Sequence, residues 1–113
     1  MADTDCIFCQ IASGEIAGNV VYRDEHVTAF RDLNPQAPTH VLVIPNRHVA
    51  HIGELADPQL SHRLLAAAVR IAADEHLEGG FRLVTNSGPD AGQTVQHLHW
   101  HLLGGRKLGW PPS

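Results

Sequence analysis

The chain has 113 residues, of which 43% are hydrophobic and 18% charged, and its formal net charge is −4 with histidine neutral. That length suits one compact domain over 1–113. The acidic balance, with Lys107 the sole lysine, excludes the clustered positive charge that nonspecific nucleic-acid binding needs.

No apolar run approaches the roughly 18 residues of a membrane span, and no signal-peptide pattern follows the acidic start Met1-Ala2-Asp3-Thr4-Asp5. A cytoplasmic protein without a membrane partner is expected, with Cys6 and Cys9 reduced. Residues 5–14 read as a short helix capped by Asp5 and ended by Gly14. Ile7, Phe8 and Ile11 form its apolar face, and Cys6 and Cys9, three apart, project from one side. Residues 20–23 and 27–31 read as strands, with Asp24-Glu25-His26 turning a hairpin between them. The loop at 32–38 is stiffened by Pro35 and Pro38. Residues 40–45 are apolar on both faces after His40, which predicts a central strand. After an irregular stretch, a long helix is expected over 58–77. Asp57 caps it, Pro58 takes the first position, Leu60, Leu64, Ala68 and Ile71 form its stripe, and Gly79-Gly80 stops it. Residues 81–86 read as a strand and 87–92 as a loop. A last strand opens at Gln93 or Thr94 and breaks at Gly104-Gly105. This order is α+β: a five-stranded, mostly antiparallel sheet with one short helix and one long helix, the long one on one face.

Within that last strand, His97, His99 and His101 alternate with Leu98, Trp100 and Leu102. An extended chain puts the three imidazoles on one face, roughly 6–7 Å apart. Besides a solvated polar face, two chemistries suit this pattern. One is a three-histidine zinc site with an open position for water. The other is attack on phosphorus by a neutral imidazole through a covalent intermediate. The preceding loop favours phosphorus: Asn86, Ser87, Gln93 and Thr94 offer neutral donors, and Gly88 and Gly92 let backbone amides come close. Cys6-x-x-Cys9 fits a zinc site or a buried pair of thiols, with no βαβ pattern to suggest thiol redox chemistry. His26, His62 and His76 read as solvated.

Gln93-Thr94-Val95-Gln96-His97-Leu98-His99-Trp100-His101-Leu102-Leu103 resembles the signature of the histidine-triad (HIT) superfamily. Gly104-Gly105-Arg106, Trp110-Pro111-Pro112 and Asp32-Leu33-Asn34-Pro35-Gln36-Ala37-Pro38-Thr39-His40 resemble its Hint branch, the purine nucleoside phosphoramidate hydrolases. The resemblance implies a HIT-like fold and an enzyme in which His99 is the nucleophile, His101 lies beside the phosphate and His40 supports the nucleophile. It implies that Asn86, Gln93 and Thr94 hold the α-phosphate and leaving group, that Asp32 binds the ribose, and that Phe8, Ile11 and Leu33 form the purine slot. It further implies a homodimer, with the sheet extended across it, the long helix and the 81–86 strand at the interface, and the tail 106–113, including Trp110, reaching toward the partner's active site. Bacterial members of the superfamily hold a structural zinc through such a cysteine pair. Here that implies Cys6, Cys9, His48 and His97, with His51 competing for the place of His48, and no organic cofactor. The alternatives are a zinc-dependent hydrolase built on the three histidines, and a nucleotide-binding or interaction module with incidental turnover.

Overall fold

The computed structural model describes residues 5–112; the first four residues of the acidic start and Ser113 of the tail lie outside the described residues. The chain runs through α1 (Ile7–Ser13), β1 (Val20–Arg23), β2 (Val27–Arg31), β3 (Thr39–Pro45), α2 (Pro58–Asp74), β4 (Phe81–Val84) and β5 (Trp100–Gly104), with short 3₁₀ turns at Ile52–Glu54 and Pro89–Ala91. The strands form one sheet in the order β1-β2-β3-β5-β4, with every pairing antiparallel.

Both faces of this sheet are covered at its centre, and for that reason all seven residues of β3 are buried. Val41 and Val43 face α2 and pack with Leu60, Leu64, Ala68 and Ile71. Leu42 and Ile44 face the other way and pack with Phe8 and Ile11 of α1 and with Phe30 of β2. His40 shares the side of Leu42 and Ile44 by the two-residue period of a strand. The α1 side is short and leaves part of the sheet open, and that opening becomes the site.

Several boundaries differ from the sequence reading, and at three of them a specific contact explains the shift. The cap of α1 is Cys6, one residue after Asp5: the Cys6 Sγ accepts from the Cys9 N–H at 3.4 Å. The long helix stops at Asp74, before the glycine pair. His76 takes a left-handed conformation, φ 59°, and the His76 and Leu77 amides donate back to the carbonyls of Ala73 and Ala72 at 3.1 and 3.0 Å. This Schellman closure folds Leu77 back against β5. A Cβ on Gly104 would stand 2.8 Å from Leu77 Cδ1, so a larger residue at 104 would have to displace that leucine.

The third difference matters most. β5 begins at Trp100, so His97 and His99 precede the strand instead of sitting within it. β3 runs out at Pro45, and the chain leaves the ladder there: the Leu98 amide donates to Val49 O at 2.6 Å, outside the sheet. On the other side, β4 stops at Val84, two residues short of 86, and the Thr85 hydroxyl donates to His99 O at 2.8 Å. The three histidines therefore do not share one strand face.

His76 is a non-glycine residue in a glycine-favoring conformation. His76→Gly is expected to stabilise the fold by roughly 0.5–1 kcal/mol, read as a higher urea midpoint with an unchanged slope.

Candidate active site and metal-binding cluster

Antiparallel pairing sets Leu42 opposite His101, so His40, two residues before Leu42, lies diagonally beside His101 on the same face. Hydrogen bonds then assign the tautomers. His40 Nδ1 accepts from the Gln36 N–H at 3.0 Å, which leaves the His40 proton on Nε2. That nitrogen lies 2.9 Å from His101 Nδ1, so His40 donates and His101 accepts. His101 then carries its own proton on Nε2. Asp32 Oδ2 stands 3.5 Å from His40 Nε2. Burial holds His40 below the ordinary imidazole range, against a small opposing pull from the Asp32 carboxylate. Burial, reinforced by repulsion from His99 and His40, pushes His101 down to about 4. Both rings are neutral near pH 7.

His99 is assigned in the same way. A carbonyl can only accept, so His99 Nδ1 donates to His97 O at 2.7 Å and Nε2 keeps its lone pair. The His99 ring lies 5.1 Å from that of His101, centroid to centroid. Phe8 meets it edge to face at 5.2 Å.

These groups close one end of a cleft of ≈ 320 Å³, within the range of small-ligand sites. Phe8, Ile11 and Leu33 line its apolar part; Asp32, Thr94, His99 and His101 line its polar part. Leu33 is fully exposed on the rim, an apolar side chain waiting for cover. Ile16 and Phe30 also line the wall. The sequence reading missed both. Phe30 was legible in principle, since the β2–β3 register sets it opposite Leu42; Ile16 lies in a turn with no pattern to mark it.

Two expected site residues stand elsewhere. Asn86 and Gln93 do not line the cleft. Gln93 turns inward, with its amide bonded to the backbone at Gly88, Ala50 and Val95. Trp110 is 82% exposed. It sits by β4, where the Arg82 guanidinium lies 6.0 Å from its ring centre and donates to Gly109 O at 2.8 Å.

On the other side of Phe8, Cys6, Cys9, His48 and His97 bring four ligand atoms together within 4.8 Å of one another. His97 Nδ1 is 3.3 Å from Cys6 Sγ and 3.4 Å from Cys9 Sγ, and His48 Nδ1 is 3.3 Å from Cys9 Sγ. A tetrahedral zinc with ordinary Zn–S and Zn–N bonds separates sulfur from nitrogen by about 3.5 Å, so the residues fit the ion. His97 Nε2 donates to Pro45 O at 2.8 Å, which turns the Nδ1 lone pair toward the sulfurs, the second-shell arrangement a metal ligand needs. Burial pushes His97 down to about 4, keeping it neutral and able to ligate. His51, the competing ligand, is held elsewhere: its Nδ1 bonds the Ser87 hydroxyl at 2.8 Å and its Nε2 faces Glu54 at 3.4 Å. The geometry also separates His97 from His99 and His101, and does not gather the three into one metal site.

The family model described as the HIT domain matches residues 13–108. The chain belongs to that family. The HIT chain is 44% identical over 108 residues to the purine nucleoside phosphoramidase of Escherichia coli strain K12, spanning 93% of this chain and 91% of that one. It is 49% identical to a 14 kDa zinc-binding protein of Zea mays, over 98% of this chain and 90% of that one. A HIT family hydrolase crystal structure from Legionella pneumophila Philadelphia 1 superposes with a TM-score of 0.93 at 49% identity, covering 96% of this chain and 99% of that one. The Hint-type resemblance is thereby borne out, and the chain is an enzyme of the hydrolase kind. Among the described residues no helix is long and apolar enough to cross a membrane.

His101 binds a proton more readily unfolded than folded, so its contribution to stability is whole above about pH 6.5 and is lost as the pH falls toward 4. Urea denaturation between pH 7 and 4.5 is expected to show stability falling with acid, and His101→Asn to flatten that slope. An equal slope in the variant would contradict the assignment.

Proposed function

We propose that this HIT enzyme hydrolyses purine nucleoside 5′-phosphoramidates through a covalent nucleotidyl-His99 intermediate. The observation that carries this is the tautomer of His99: Nδ1–H is committed to a backbone carbonyl, so Nε2 is the free nucleophile in a cleft with apolar walls. In the first step His99 Nε2 forms a bond to the α-phosphorus, and the P–N bond to the amine breaks. The amine takes a proton from solvent. In the second step water attacks the same phosphorus and gives a proton back to solvent, the His99–phosphorus bond breaks, and the mononucleotide leaves with neutral His99 restored.

Charge builds on the nonbridging oxygens in both steps, and fixed donors stabilise it. The Nε2–H of His101 is such a donor, held in place by His40. Thr94, which lines the cleft, supplies another. Asp32 takes the ribose hydroxyls; one of its oxygens already accepts from the Asn34 N–H at 2.8 Å. Phe8, Ile11 and Leu33 enclose the purine. The name of the E. coli relative supports this substrate class.

Zinc on Cys6, Cys9, His48 and His97 would be structural: four protein ligands leave no open position, and its role is to hold α1 to the 46–49 segment and to His97. The name of the maize relative supports the choice of metal. No organic cofactor is invoked. We further propose that 1–113 acts as one cytoplasmic HIT domain and as a homodimer, with the sheet continued across it and Trp110 in the tail directed at the partner's site. Arg82 holds that tail in place.

Two measurements test these assignments. Wild type is expected to hydrolyse adenosine 5′-phosphoramidate, and His99→Ala to lose at least about 10³-fold with its circular dichroism intact; acid-quenched wild type should carry a nucleotidyl adduct by mass. Near-normal turnover in the variant would sink the covalent mechanism, and tight AMP binding without wild-type turnover would make the chain a binding module. Elemental analysis should find about one zinc per chain, lost in Cys9→Ser together with a lower melting temperature. A metal-free wild type of equal stability would remove zinc from the account.

A further inference from the structure

Gln93 is the only buried residue in the stretch 85–96, at 7% exposure, while its neighbours Gly92 and Thr94 are exposed. A buried amide in an exposed loop must have its hydrogen-bonding capacity met, and here it is. The Oε1 accepts from the Gly88 N–H at 2.9 Å. The two Nε2 hydrogens go to Ala50 O at 2.8 Å and Val95 O at 3.0 Å. The Gln93 main-chain N–H donates back to Gly88 O at 3.1 Å, so Gly88 and Gln93 close on each other through both main chain and side chain. Gly88 is at φ 89°, ψ 169°, a region open essentially to glycine alone.

Each bond ties down a different segment next to the cleft. The bond to Gly88 fixes the start of the glycine loop. The bond to Val95 spans Thr94, which lines the cleft. The bond to Ala50 joins both to the segment that carries His48. No donor on the side chain is left for a substrate oxygen.

We propose that Gln93 is a positioning residue: its carboxamide clamps the 88–95 segment in the shape that presents Thr94 to the substrate's phosphate, and touches no substrate itself. The proposal rests on the phosphoramidate reading for the phosphate it serves and for its turnover measurement. The clamp needs an acceptor and two donors at a fixed reach. Gln93→Glu keeps the shape and the acceptor but turns a carboxylate toward two carbonyls. Gln93→Asn keeps the chemistry but is one methylene too short.

The test combines amide exchange by NMR with kinetics on adenosine 5′-phosphoramidate. In Gln93→Glu the Gly88 amide is expected to exchange at least about tenfold faster in the ligand-free protein. kcat should fall at least about tenfold while KM moves by no more than about threefold, because Thr94 acts mainly on charge that develops in the transition state. Burial beside two carbonyls raises the pKa of the new carboxyl, so the ratio of variant to wild-type kcat should recover as the pH is lowered from 7 to 5 and a donor returns. Gln93→Asn, read by the same measurements, serves if the glutamate variant does not fold, and should lose both Gly88 protection and kcat without that recovery. Lost turnover with unchanged Gly88 exchange would overturn the proposal in favour of direct substrate contact. Faster exchange with wild-type kcat would reduce Gln93 to a brace with no part in the reaction. If wild type hydrolyses no phosphoramidate, the functional reading fails by itself, and the clamp is judged on AMP: weaker affinity alongside faster Gly88 exchange supports it, and unchanged affinity overturns it.

Discussion

His97 is bonded in three directions at once, and the site hangs on that. Its Nδ1 faces the two cysteine sulfurs, its Nε2–H donates to Pro45 O, and its backbone carbonyl accepts the His99 Nδ1 proton. The first two bonds fix the ring; the third reaches the neighbouring function through the peptide. A ring held at both nitrogens cannot turn, so its carbonyl stays where His99 needs an acceptor. The candidate metal cluster and the candidate nucleophile are thus joined through one residue and separated in space by the ring of Phe8, which meets His97 at 6.0 Å and His99 at 5.2 Å.

Backbone acceptors and donors play the same part on the other side of the cleft. An amide at Gln36 decides where the His40 proton sits, and His40 decides it for His101. Neither ring needs a carboxylate to set its tautomer, and burial keeps both uncharged. On this side of the cleft His40 and His101 are therefore neutral imidazoles, the first oriented by a main-chain amide and the second through it. Such groups cost no reorganisation when charge develops on a substrate.

The sheet supplies the rigidity. β3, covered on both faces, is the least deformable place in the fold, and His40 projects from it. The segments that depart from the sheet carry the remaining groups, and they are laced to one another instead: Leu98 to Val49, Gln93 to Ala50, Ser87 to His51. This lacing takes over where the ladder ends at Pro45.

Much of this was legible in the residues. The apolar run of β3, the Asp57 cap and stripe of α2, and the β1–β2 hairpin are local patterns, and local physics decides them. The His/apolar alternation marked the right stretch, and the resemblance it carried named the family and the four residues that gather as a metal cluster. What the alternation could not say is that the strand starts only at Trp100. Period two is a property of extended chain, and whether His97 and His99 are extended within a sheet depends on whether β3 still has a partner to offer beyond Pro45. Nor could it say which way Gln93 points: a glutamine in a glycine-rich loop reads as a donor for phosphate, and only the positions of Gly88, Ala50 and Val95 show its amide already fully bonded. Residue types and their spacing determined the chemistry available to this protein. The tertiary structure decided which nitrogen holds each proton and which face each histidine serves, because those depend on acceptors as far as 61 positions away in the chain, as His101 is from His40.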